Sequence, residues 1–215
     1  MKHKKILLTG FEPFGGESIN PAWEIARALE GERVAEASVV SHCLPCEFGT
    51  ALESLRAALA THQPVLVLAL GQAAGRASLS LERVAINLDD ARIPDNAGRQ
   101  PIDEPVLQQA PTAYFSTLPL KAMVAGLQAA GYPAEVSHSA GTFVCNHLFF
   151  GLQHQLHGQG LRSGFMHVPL LPQQASHKPG QASMSLQTMV EGVRLALALA
   201  MTTGTDLRQS AGTLN

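Results

Sequence analysis

The chain has 215 residues, of which 46% are hydrophobic and 15% charged, and its formal net charge is −2. This composition suits one compact domain with a full core and excludes a disordered chain. The small charge gives no reason to expect nucleic acid or an anionic membrane as a partner. The N-terminal lysines precede only three apolar residues, and Glu191 and Arg194 interrupt the apolar stretch near Leu195. We therefore expect neither a signal peptide nor a membrane span, and predict a cytoplasmic protein.

Strands and helices alternate along the chain. The predicted elements are, in order, strand 5–9, helix 21–29, strand 34–42, helix 50–60, strands 65–70 and 79–87, helix 119–130, strand 134–137, helix 145–157, strand 163–167 and helix 185–200. This alternation predicts an α/β fold with helices on both faces of the sheet. With no linker or repeat, residues 1–215 are predicted to form a single domain, of which about 201–215 are expected to fray.

The segment before the predicted helix 145–157 carries the clearest chemical signal. Cys145 follows a Gly-Thr turn and a short apolar step, and it begins the helix. Unpaired N–H groups and the positive end of the helix dipole favour a thiolate there. The same N–H groups are suited to hold an oxyanion. The position therefore points to acyl-transfer chemistry at Cys145.

Two other residues are candidate partners for this cysteine. His167 ends a short apolar strand, and Glu82 lies within the alternating stretch 79–87. Together with Cys145 they supply a nucleophile, a base and a carboxylate that orients the base. In the predicted strand 79–87, Glu82 is expected to share a buried face with Val84 and Ile86. The alternative for Glu82 is a structural salt bridge to a nearby arginine, Arg76 or Arg83.

Several separate segments resemble the type I pyroglutamyl peptidases, a family of cysteine peptidases. They are 8–16 with Asn20-Pro21, the stretch 71–87 around Glu82, Asp95-Asn96, 114–119, the stretch 137–147 around Cys145, and His167-Val168-Pro169. The resemblance runs from about Ile6 to about Leu199. Two departures are Ala74, where many members have glycine, and His138, an unusual insert in the cysteine segment.

The resemblance implies a twisted mixed sheet of the phosphorylase/hydrolase type. It implies a peptidase that removes N-terminal pyroglutamate through a thioester, with Cys145, His167 and Glu82 as catalytic residues. It also implies a homo-oligomer, a dimer or tetramer, and no cofactor or metal. The residues expected to bind substrate are Phe11, Phe14, Gln72, Phe143 and Val144, and the oxyanion is expected to bind the backbone N–H of Cys145 and one near Arg92.

Other interpretations of these patterns remain open. Phe11 and Phe14 are also compatible with packing under a loop, and Gln72 with capping a turn. A nucleoside phosphorylase or hydrolase on a similar scaffold has no use for an activated cysteine, and a non-catalytic relative has no need to keep all three catalytic residues. His154 and His157 have a spacing that suits metal, but we expect a solvated or hydrogen-bonded helix face. The sequence Cys-Leu-Pro-Cys at 43–46 has the spacing of a redox motif, but we interpret it as the end of a strand.

Overall fold

The computed structural model describes residues 4–212, so residues 1–3 and 213–215 lie outside the described residues. The described chain contains nine strands and six helices. The strands are β1 (Lys4–Phe11), β2 (Arg33–Val34), β3 (Ala37–Leu44), β4 (Leu66–Gln72), β5 (Leu79–Glu82), β6 (Val84–Ile86), β7 (Ala113–Phe115), β8 (Ala134–Ser137) and β9 (Arg162–Val168). The helices are α1 (Pro21–Ala28), α2 (Thr50–His62), α3 (Leu120–Ala129), α4 (Val144–Leu156), α5 (Pro172–Ala175) and α6 (Leu186–Thr202).

Seven strands form one mixed sheet in the order β2-β3-β1-β4-β9-β5-β8. β3, β1, β4 and β9 are parallel to one another. β5 runs antiparallel to β9 but parallel to β8. The mixed sheet with helices on both faces confirms the predicted α/β fold.

Two hydrophobic clusters cover the two faces of the sheet. Side chains of β4 alternate between them, so that Leu66, Leu68 and Leu70 join one cluster, and Val67 and Ala69 join the other. The first cluster includes residues of α1, α3 and α6, and the second includes residues of α2 and α4. This alternation places Gly71 on the α2–α4 face and the side chain of Gln72 on the opposite face.

The predicted strand 79–87 is wrong, because the chain leaves the main sheet after Glu82. β5 lies between β9 and β8, whereas β6 pairs with β7 in a separate two-stranded sheet. Glu82 therefore does not share a strand face with Val84 and Ile86. The predicted strand 34–42 is likewise two strands, β2 and β3, which pair antiparallel. The sequence analysis predicted neither β7 nor α5.

The segment after α6 is held against the rest of the protein as far as it is described. Asp206 accepts hydrogen bonds from the N–H groups of Lys121 and Ala122, at 3.3 and 2.9 Å, at the start of α3. The guanidinium of Arg162 donates to the carbonyl oxygen of Gly204 at 2.9 Å. These contacts tie residues 204 and 206 to β9 and α3, and residues 213–215 lie outside the described part. No helix within residues 4–212 is both long enough and apolar enough to cross a membrane.

Candidate active site

His167 and Glu82 are hydrogen-bonded to each other in the protein interior. Glu82, the last residue of β5, is 0% exposed, and His167 in β9 is 4% exposed. The imidazole Nδ1 lies 2.7 Å from Glu82 Oε1. A histidine that donates from Nδ1 presents Nε2 as an acceptor. The carboxylate thus holds the imidazole in the tautomer that a general base requires.

Arg76 contacts the same carboxylate. Its guanidinium nitrogen lies 2.9 Å from Glu82 Oε1, and its side chain is 26% exposed. The sequence analysis treated a histidine partner and an arginine partner as alternatives for Glu82. The structure places both on one oxygen.

Cys145 is the second residue of α4 and is partly exposed. Its sulfur lies against Gly71, since a Cβ built on that glycine would come within 2.8 Å of Sγ. Gly71 is the register partner of His167 across β4 and β9. The sulfur therefore lies close to the His167–Glu82 pair. Within residues 4–212, Cys145 and His167 make no direct hydrogen bond. In enzymes without bound substrate, the contact between nucleophile and base is often long and shortens when substrate binds.

The protonation of Cys145 differs from what its position at a helix start predicted. Burial, together with the negative charge of Glu82, raises the pKa of Cys145 to about 12, and Arg76 opposes this rise. Burial lowers the pKa of His167, while the hydrogen bond to Glu82 acts in the opposite direction. Both shifts favour a neutral thiol beside a neutral imidazole. In such a pair the imidazole acts as a base when the thiol attacks.

The start of α4 has free backbone donors. Phe143 is the N-cap residue, and no side chain accepts from the helix N–H groups there. The first N–H groups of a helix have no intrahelical acceptor, so the Cys145 N–H is available to an anion. Two hydrogen bonds join the loop that carries Arg92 to this helix start. Asp90 N–H donates to Thr142 O at 2.9 Å, and the Thr142 hydroxyl donates to Asp90 O at 2.7 Å.

Aromatic side chains lie beside the helix start. The rings of Phe14 and Phe143 are 6.0 Å apart, and Phe48 meets Phe143 edge-on at 5.4 Å. Phe14 and Phe143 are partly exposed, as residues that touch a ligand should be. Phe11 is only 2% exposed and packs on Phe165 at 6.5 Å, so it lies beneath this surface.

Neither Gln72 nor Val144 presents its side chain to the surface beside Cys145. The side chain of Val144 is 0% exposed. The side chain of Gln72 points away from the face that holds Cys145, and its Oε1 accepts from Gln174 at 2.9 Å. Ala73 N–H donates to Val168 O on β9, so the N–H of Gln72 points to the opposite side of β4. On that side, the pairing of β4 with β1 stops at Ala69.

The sequence of this chain matches the family model described as pyroglutamyl peptidase over residues 4–203. The chain belongs to the pyroglutamyl peptidase family. Pyroglutamyl peptidases of this type are cysteine peptidases that remove N-terminal pyroglutamate. Both the fold and the family expected from the sequence are confirmed.

Similar proteins match the chain over nearly its whole length. A pyrrolidone-carboxylate peptidase from Cupriavidus pinatubonensis is 55% identical over 215 residues, covering 99% of this chain and 100% of that relative. Another from Chromobacterium violaceum is 56% identical over 212 residues, covering 99% and 100%. The crystal structure of pyroglutamyl peptidase I from Bacillus amyloliquefaciens has a TM-score of 0.94 and 44% identity, covering 97% of this chain and 100% of that one. A mutant pyrrolidone carboxyl peptidase from Pyrococcus furiosus has a TM-score of 0.89 and 43% identity, covering 92% and 98%.

The structure adds residues to the pyroglutamyl peptidase site that the sequence analysis did not identify. Phe48 lies in an irregular segment, and its only sequence signal was an apolar residue before Gly49. The side chain of Asn146, 0% exposed, binds the backbone of Ile86 and Leu88 and so ties β6 to α4. Such contacts join distant segments and leave no local pattern.

Two of the remaining histidines, His154 and His157, contact one tyrosine. His154 Nδ1 lies 2.9 Å from the Tyr114 hydroxyl, and His157 packs on the same ring. Over residues 4–212, no group of three or more histidine, cysteine, aspartate and glutamate side chains is arranged to hold a metal ion. Burial raises the pKa of Cys43 to about 11 and that of Cys46 still further.

Proposed function

We propose that this chain releases pyroglutamate from the N-terminus of peptides, with Cys145 as nucleophile, His167 as general base and acid, and Glu82 as the carboxylate that orients His167. The observation that carries this proposal is the buried 2.7 Å contact between His167 Nδ1 and Glu82 Oε1, with the sulfur of Cys145 against the neighbouring strand position. This is the arrangement by which a neutral thiol is activated through an adjacent oriented imidazole.

The reaction proceeds in two halves. In the first, His167 Nε2 takes the thiol proton as the sulfur attacks the pyroglutamyl carbonyl carbon. The tetrahedral intermediate then collapses, the scissile C–N bond breaks, and His167 returns the proton to the leaving amine. In the second half, His167 takes a proton from water, the hydroxide attacks the thioester, and the sulfur leaves and regains the proton. No redox partner or metal is needed to balance either half.

The start of α4 is suited to hold the oxyanion. We assign the backbone N–H of Cys145 as one donor, because this helix start has no side-chain cap. We assign the second donor to the backbone near Arg92, because that loop is tied to Thr142. A pair of fixed N–H groups of this kind contributes roughly 3 kcal/mol per donor to transition-state stabilisation.

The substrate surface suits a small uncharged ring. Pyroglutamate is a flat lactam without the ammonium group that other aminopeptidases bind. Phe14 and Phe143 offer aromatic faces for the ring, with Phe48 supporting Phe143 and Phe11 packed beneath. The backbone groups of Gln72 and Val144 are suited to pair with the lactam N–H and C=O. The assignment to Gln72 therefore moves from its side chain to its backbone.

The decisive test compares Cys145→Ala with the matched control Cys43→Ala. Loss of the nucleophile should lower the release of coumarin from pyroglutamyl-aminomethylcoumarin by roughly 10³-fold or more. The control should keep its activity, because Cys43 is a β3 residue outside the site. Comparable turnover by a folded Cys145→Ala variant would overturn the proposal.

We further propose that the chain works in the cytoplasm as a dimer or tetramer, on the basis of its family resemblance. Exposed apolar side chains on the two-stranded sheet and the loop before it support a contact between copies, since Ile102 and Phe115 are each 70% exposed. Sedimentation of the purified chain tests the assembly, and a monomer at micromolar concentration would contradict it.

A further inference from the structure

Arg76 connects two parts of the candidate active site. One guanidinium nitrogen lies 2.9 Å from Glu82 Oε1, and the other donates to the carbonyl oxygen of Ser139 at 3.0 Å. Ser139 belongs to the segment between β8 and α4 that leads to Cys145. A planar fork of this kind fixes the distance between two acceptors more tightly than a lysine ammonium does.

The burial of Glu82 makes the arginine contact important. Glu82 is 0% exposed, and its Oε2 has no hydrogen-bond partner within the described residues. His167 and Arg76 both bind Oε1, and only Arg76 carries a permanent charge. A buried carboxylate that loses its cation either takes up a proton or draws one onto its other partner. Either change disables His167 as a base.

The charge of Arg76 acts on the whole site. The titratable groups that face it are Glu82 on β5, His167 on β9 and Cys145 on α4. The guanidinium lowers the pKa of His167 and that of Cys145, so it favours a neutral imidazole and a charged sulfur. At Cys145 the charge favours loss of the thiol proton, and at His167 it keeps the imidazole unprotonated before the reaction.

We propose that Arg76 is a positioning residue for the peptidase reaction, which pairs with the buried carboxylate of Glu82 and fixes the segment before Cys145 relative to it. This inference rests on the proposed function for its kinetic consequence. Arg76 does not itself touch the reacting atoms; it acts through Glu82 and through the backbone of Ser139.

The test uses Arg76→Gln, which keeps a hydrogen-bond donor but removes the charge, and Arg76→Lys, which keeps the charge. We expect the acid limb of the kcat/KM profile of Arg76→Gln to move to higher pH, with a loss of roughly tenfold at pH 6 relative to the wild type. Arg76→Lys should keep the limb near its wild-type position. The control is Arg194→Gln, which removes the charge from a pair with Glu32 that lies outside the active site.

A second readout needs no substrate. The rate of Cys145 alkylation by iodoacetamide, followed by mass spectrometry of its peptide, should fall several-fold at pH 8 in Arg76→Gln and little in Arg76→Lys. If the wild type released no pyroglutamate while alkylation still depended on the charge at position 76, the proposed function would fail and the role of Arg76 would stand. A folded Arg76→Gln variant with unchanged limb and unchanged alkylation would show that the arginine is purely structural.

Discussion

Gly71 lies directly against the sulfur of Cys145. A Cβ at position 71 would come within 2.8 Å of Sγ and within 2.7 Å of the ring of Phe165. Neither neighbour can easily move, because Phe165 is 0% exposed and Cys145 is fixed at the start of α4. A glycine is needed at this position because any side chain would occupy the space next to the sulfur of Cys145.

We therefore predict that Gly71→Ala inactivates the enzyme more than it destabilises it. Overpacking of this size costs about 1–3 kcal/mol of folding free energy, while a displaced sulfur loses its alignment for attack and costs roughly 10²-fold in kcat/KM. Melting and steady-state kinetics measured together decide this. The matched control is Gly204→Ala, where a Cβ would meet nothing within 4 Å. A stable Gly71→Ala variant with normal turnover would contradict the packing argument.

The sequence predicts the local features of this site well and the long-range ones poorly. Helices and strands alternate as expected, and the residues before Cys145 mark it as the candidate nucleophile. The apolar alternation of 79–87 continues through Glu82 without a break, yet the chain changes sheets there. Alternation reports which side chains point the same way, but it carries no information about which strand will pair with which. The backbone at Arg83 instead pairs with Ser116 and Ser137, on two other segments.

The protonation state of Cys145 shows the same limit. The helix start is visible in the sequence, and it favours a thiolate. Burial by Gly71 and Phe165 and the charge of Glu82 depend on tertiary packing, and in the folded protein they outweigh the helix start. The roles of Arg76 and Phe48 also arise only when distant segments meet.

Replacing Glu82 should affect both activity and stability, because its one hydrogen-bonded oxygen binds His167 and Arg76 together. We predict that Glu82→Gln lowers kcat/KM by roughly 10²–10⁴-fold and the free energy of unfolding by about 1–3 kcal/mol. Kinetics and thermal melting measure the two effects. Glu135→Gln is the control. Glu135 lies on β8, the other strand neighbour of β5, and its carboxylate accepts from the Ser80 hydroxyl. An unstable Glu82→Gln variant with near-normal turnover would remove Glu82 from the catalytic residues.

The pH dependence should reflect a neutral thiol and a neutral imidazole. Burial lowers the pKa of His167 below its ordinary 6.5, so the base is available above that lowered value and is lost as pH falls through it. We predict an acid limb of kcat/KM below pH 6.5. Because the pKa of Cys145 is raised to about 12, its alkylation rate should still climb between pH 7 and 10. A plateau of alkylation from weakly acidic to neutral pH would instead indicate a thiolate–imidazolium pair.

Asp206 should stabilise the protein without taking part in catalysis. The N-cap residue of α3 is Pro119, whose side chain accepts no hydrogen bond, and Asp206 accepts from the first N–H groups of that helix instead. We predict that Asp206→Ala lowers the free energy of unfolding by about 1 kcal/mol, which is roughly 2–4 °C in Tm, with unchanged kcat/KM. Asp206→Asn, which keeps an acceptor, should lose less. Equal melting of the alanine variant and the wild type would mean that the segment after α6 contributes nothing to stability.

The buried histidine of α4 should be structural. His147 Nδ1 lies 2.7 Å from Asp89 Oδ2, and its Nε2 accepts from the backbone N–H of Gly49 at 2.9 Å. Because a backbone N–H only donates, the ring must donate from Nδ1 and cannot serve as a catalytic base. The pair joins α4 to the segment of Asp89 and to the segment of Phe48, whose ring meets His147 edge-on at 5.4 Å.

We predict that His147→Phe destabilises the protein by about 3 kcal/mol, because it keeps the ring packing but leaves Asp89 buried without its partner. Adding Asp89→Leu to this variant should recover part of the loss, since removing both members of a buried pair costs less than removing one. The control is His154→Phe, an exposed histidine on the same helix, which should cost much less. Urea unfolding of the wild type, His147→Phe, the double variant and His154→Phe measures these losses. If the double variant were no more stable than His147→Phe, the loss would come from packing around the ring and not from an unpaired carboxylate.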